Sequence, residues 1–81
     1  MKLFLISQTE NQDYDTFDSV VVAAETEEIA STIHPYFNKD WWDGEWEDSW
    51  CSSPDKVSVK YLGEAAEGTS RGVILASFNA G

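Results

Sequence analysis

Apolar residues fall in short blocks along the chain, and the spacing within each block predicts an element. Leu3-Phe4-Leu5-Ile6 is unbroken. A short continuous apolar run bounded by polar residues is the pattern of a strand covered on both faces, so Met1 to Ser7 is predicted as a central strand. Val20, Val21 and Val22 form a β-branched run and predict a second strand. Gln8 to Ser19 between them is polar and rich in turn formers, including Asn11, Asp13, Asp15 and Asp18. The two strands are expected to pair as a hairpin with a long acidic connection.

Ala23 to His34 reads as a helix. Thr26 can cap it, with Glu27 and Glu28 in the first turn, where the helix dipole favours negative charge. Ile29, Ala30 and Ile33 make the buried stripe. Pro35 ends the helix, because a residue before proline disfavours helical geometry. Further on, Val57, Val59 and Tyr61 alternate with Ser58 and Lys60, which predicts a half-buried strand over Lys56 to Leu62. Gly63 to Gly72 is a polar connection. Val73 to Phe78 is nearly all apolar and predicts a last, central strand. The expected architecture is a single α+β domain over 1–81. It has a small, mostly antiparallel sheet in the order β-β-α-β-β, and one helix packed on a face.

One segment fits neither period cleanly. Asp40 to Trp50 holds four tryptophans and five acids within eleven residues. Trp42, Trp46 and Trp50 lie four apart, which suits one face of a helix or of a strand. Asp43, Glu45 and Glu47 take the opposite phase, and Gly44 is unfavourable inside a helix. The segment is expected to be an extended strand or an ordered loop.

Charge narrows the function classes. The chain has 15 acidic residues, 5 basic ones and a net charge of −10. Nucleic-acid binding draws its affinity from Lys and Arg neutralising phosphates, so direct DNA or RNA binding is not expected, nor is docking on an anionic membrane. The natural partner is a basic protein surface, such as one built to hold nucleic acid. The alternative is that acid excess only keeps a small protein soluble. Cys51 is the one cysteine, so no internal disulfide forms, which fits a reducing cytoplasm. The N-terminal apolar run is too short for a signal peptide, and nothing approaches the ~20 apolar residues of a membrane span.

Candidate chemistry is sparse. His34 and Cys51 are one dyad in principle, but His34 stands where histidines interact with a helix C-terminus, and Cys51 beside Trp50 reads as a small hydrophobe. One Cys and one His cannot close a zinc site. Asp13, Asp15 and Asp18 lack the spacing of a calcium loop and read as turn residues. No glycine-rich phosphate loop is present. No enzyme activity, metal or cofactor is therefore expected. The expected site is a partner-binding surface: Asp40, Asp43, Glu45, Glu47 and Asp48 supply charge, and Trp41, Trp42 and Trp46 supply apolar contact. Asp13, Asp15 and Asp18 form a second candidate surface. The other reading of the tryptophans is core. The other function is a small-ligand binder with a Trp-lined pocket.

Several stretches together resemble a known group: Met1-Lys-Leu-Phe-Leu-Ile-Ser-Gln8, Tyr14-Asp-Thr-Phe-Asp-Ser19 followed by Val20-Val-Val-Ala-Ala24, Ile33-His-Pro35, Trp50-Cys51, Val59-Lys-Tyr-Leu-Gly-Glu-Ala65 and Ala76-Ser-Phe-Asn-Ala-Gly81. They are similar to short, mostly uncharacterised acidic proteins of bacteriophages and prophages, and the resemblance spans nearly the whole chain. It implies a bacterial host cytoplasm and inhibition of a host defence protein, as anti-CRISPR and anti-restriction proteins do, some by mimicking the charge of DNA. It brings no site residues with it.

Overall fold

The computed structural model describes residues 1–10, 15–35, 39–40, 50–51 and 53–79. β1 (Lys2–Ser7) and β2 (Thr16–Ala24) pair antiparallel, from Lys2 opposite Ala24 to Ser7 opposite Ser19. β5 (Ser58–Glu64) adds to the free side of β1, and β6 (Gly72–Asn79) adds to the free side of β2, both antiparallel. The strand order is β5-β1-β2-β6. A second, minimal sheet joins β3 (Ile33–His34) to β4 (Lys39–Asp40). The α+β class and the mostly antiparallel sheet are as expected, and among the described residues there is one α-helix, α1 (Glu27–Ser31), and the additional β3–β4 pair.

Side-chain alternation builds the core. Phe4 lies opposite Val22 and Tyr61, and Ile6 lies opposite Val20 and Val59. Across the next ladder, Val20 meets Ala76 and Val22 meets Val73. Residues opposite one another in a ladder share a face. This face is covered by Ala30, Ile33, Trp50 and Cys51, all buried. The opposite face carries Leu5 and Val21, half-buried, and the exposed Leu75. β1 is central, as its apolar run predicts, but the described residues cover it on one face only.

The helix is shorter than its sequence pattern. α1 spans Glu27–Ser31, and its cap is the predicted one: Ile29 N–H donates to Thr26 Oγ1 at 3.1 Å. Ala23 and Ala24 extend β2 instead, opposite Leu3 and Lys2, and both are fully buried. Ladder hydrogen bonds and burial outweigh alanine's helical preference there. At the other end Ser31 Oγ and Thr32 Oγ1 donate to Glu28 O and Ile29 O, each at 2.7 Å. Such local bonds compete with helix continuation. The chain turns out at Thr32, so His34 is not a helix-terminal histidine but a β3 residue.

Three ladder irregularities shape the sheet. Asp18 is skipped between Phe17 and Ser19, Ile74 between Val73 and Leu75, and Leu62 between Tyr61 and Gly63. The first explains why β2 starts earlier than its valine run: an acid sits out of register in an otherwise paired strand. β6 lies at the edge, not the centre. Its apolar content is not matched by cover, since Ile74, Leu75 and Phe78 are exposed. The connection to β6 turns at Gly68, whose φ of +86° follows the geometry of a type II turn closed by Thr69 N–H to Ala66 O at 3.1 Å.

Candidate functional site

The start of α1 hangs over the β1–β5 side of the sheet and leaves a groove of about 540 Å³ lined by Lys2, Phe4, Glu25, Thr26, Glu27 and Tyr61. Its floor is aromatic. The Phe4 and Tyr61 rings stand 5.8 Å apart, tilted by 60°. Its rim is charged. Arg71 donates from Nε and Nη2 to the two carboxylate oxygens of Glu25, at 2.9 and 2.8 Å. That fork holds the Glu25 carboxyl below its usual pKa. Both partners stay about half exposed, so solvent screens the pair and it adds little to stability. Lys2 Nζ donates to Glu25 O at 3.4 Å, and Tyr61 Oη–H donates to Glu64 Oε2 at 2.6 Å. That bond pushes the phenol pKa up. Aromatic faces beside carboxylates suit a cationic or flat apolar group.

A second groove, about 420 Å³, opens on the far face of the sheet and is lined by Leu5, Val21, Leu75 and the serines Ser19 and Ser77, among others. Among the described residues, no tryptophan lines either of these two grooves.

Of the predicted partner-binding residues, Asp13, Trp41, Trp42, Asp43, Glu45, Trp46, Glu47 and Asp48 lie outside the described residues. Asp40 is placed by its backbone, opposite Ile33 in the β3–β4 pair. Asp15 and Asp18 are exposed. They do not share one loop: Asp15 precedes β2 with a φ of 62°, tolerated by aspartate, and Asp18 is the skipped residue within β2. Trp50 is core, 2 % exposed.

The Cys51–His34 pair is not poised for nucleophilic chemistry. Both residues are fully buried. Burial pulls the His34 imidazole down to about 4 and pushes the Cys51 thiol up to about 11. The thiol donates to Ser53 O at 3.4 Å and stays protonated at neutral pH, whereas a reactive cysteine needs its thiolate. Among the described residues no three His, Cys, Asp or Glu cluster as a metal site, and no helix is long and apolar enough to cross a membrane.

The groove at the start of α1 was not predicted. Its walls come from β1, β5 and the β2–α1 junction, and Glu25 meets Arg71 from 46 positions away. The one local signal was the Thr26 cap. Comparison with protein-family models, with curated proteins and with solved structures returns no match.

Proposed function

We propose that the chain is a binding protein whose acidic surface engages a basic protein surface of the kind that holds nucleic acid. The supporting observation is where the acids lie: every Asp and Glu whose side chain is described is exposed, on a chain of net charge −10. Such a surface carries a long-range negative field that attracts a basic patch and raises the rate of encounter with it. The resemblance to phage proteins favours a host defence protein as the partner. The Asp40 to Asp48 segment supplies the densest charge together with apolar rings, and the tryptophans are suited to anchor the contact.

Affinity capture with the tagged protein tests this, using wild type beside a variant in which Glu45, Glu47 and Asp48 are all alanine. A basic nucleic-acid-handling protein should be retained at low salt, released at high salt, and retained poorly by a variant with unchanged circular dichroism. Equal retention by the folded variant would remove the assignment to this segment. No retained protein from lysates containing such defence systems would remove the proposal itself.

A further inference from the structure

The groove at the start of α1 sets an exposed aromatic ring among carboxylates. Tyr61 is 54 % exposed, stands against the buried Phe4, and is tied through its hydroxyl to Glu64. That bond restrains the ring and keeps a carboxylate at its tip. Glu27, exposed in the first turn of α1, lines the same groove and has no cationic partner among the described residues. Glu25 at the rim already accepts a guanidinium fork, from Arg71. The chain thus shows at this rim how a carboxylate takes a guanidinium edge-on. Glu25, Glu27 and Glu64 stand against Lys2 and Arg71, three negative charges against two positive, on a body of net charge −10.

We propose that this groove is a seat for a guanidinium group, the side chain of an arginine on a basic partner; the source of that arginine rests on the acidic-surface reading above. A guanidinium is flat and always charged. It stacks on an aromatic ring through its face and donates to a carboxylate through its N–H edge, and Tyr61 and Glu27 supply one of each in a single groove. An ammonium is a compact, strongly hydrated point charge and gains less from the ring. A carboxylate or phosphate is repelled by Glu27, Glu64 and the net charge of the body. A neutral group of the same shape keeps the ring contact and forgoes the charge, which makes it the deciding comparison. Lys2 opposes the guest, since its ammonium, 3.4 Å from Glu25 O, is a like charge in the same groove. The seat is therefore weak alone and serves as one anchor within a larger interface.

Amide NMR of the isotope-labelled protein at low salt tests the seat, with N-acetyl-arginine methylamide titrated beside N-acetyl-citrulline methylamide, which has nearly the same shape and no charge. Arginine should move the signals of Lys2, Phe4, Glu27 and Tyr61 with a dissociation constant of about a few millimolar, and citrulline should bind about threefold more weakly or less. Glu27→Gln and Tyr61→Leu should each weaken arginine by about threefold. Tyr61→Phe, which keeps the ring, should retain it, and Lys2→Gln should tighten it. A dispersed amide spectrum establishes that each variant is folded, and Glu27→Gln decides alone should Tyr61→Leu unfold. No arginine shifts at these positions, equal binding of citrulline, or unchanged binding by the folded variants overturns the proposal. The titration contains no partner, so these outcomes leave the acidic-surface reading to the capture experiment. Where capture retains a basic protein, Tyr61→Leu, which leaves the net charge unchanged, should lower its retention. Unchanged retention there overturns the groove as the partner's seat while the acidic-surface reading stands.

Discussion

Burial sets the charge of His34 as well as its position. The ring is fully buried, near Trp50 at 6.5 Å between centroids, and desolvation pulls its pKa to about 4. In the unfolded chain the same group titrates near its ordinary ~6.5. Between those values the unfolded chain binds a proton that the folded chain refuses. The stability this histidine contributes is therefore complete above about pH 6.5 and is lost as pH falls toward 4, at up to about 1.4 kcal/mol per unit. Urea midpoints measured at neutral pH and at about pH 5 should fall in wild type, and should fall less in His34→Gln. Equal slopes would mean that the folded protein protonates His34 freely. At this scale the sequence told residue type better than place. Cys51 reads as a small hydrophobe and is one, because its neighbour Trp50 is core. His34 reads as a helix-terminal residue and is not, because the backbone had already left the helix at Thr32.

Between neighbouring positions of one strand the two faces of the sheet can be compared directly. Ile6 is fully buried on the helix-covered face, and Leu5 is half-buried on the other. Ile6→Ala should cost about 2–5 kcal/mol, since it removes buried methyl groups and leaves a cavity. Leu5→Ala, with solvent already beside it, should cost less than half as much in the same denaturation assay. Equal costs would show that the second face is as well covered as the first. The strands were legible from apolar blocks and from the Val57-Val59 alternation. Their neighbours were not, because apolar content reports a demand for burial and is silent about which strand lies alongside. β1 and β6 carry equally apolar runs, yet one is central and the other is an edge. The helix was over-read for a related reason: Ala23 and Ala24 suit a helix locally, but pairing with Leu3 and Lys2 holds them in β2.

Across the whole molecule, the acid excess was legible from composition, and the described carboxylates lie where that excess suggests, on the surface. The groove at the start of α1 was not legible, because its Glu25–Arg71 rim is a contact made by topology. A net charge of −10 on a chain of 81 residues makes the folded state repel itself, and compaction raises that cost. Screening should relieve it. Raising sodium chloride from about 10 mM to about 150 mM shortens the screening length from about 30 Å to about 8 Å. The larger length is comparable to the chain's longest extent of 35 Å, so most of the acids interact at low salt and few do afterwards. If the relief is about 1 kcal/mol, the melting temperature should rise by about 4–8 °C over this range for a domain of this size. Calorimetry at two protein concentrations separates this intramolecular relief from any effect that depends on concentration. A melting temperature that stays flat would mean that the acids lie too far apart in water to repel one another strongly, since five cations cannot offset fifteen acids, and a field so dilute would have little with which to attract a basic partner.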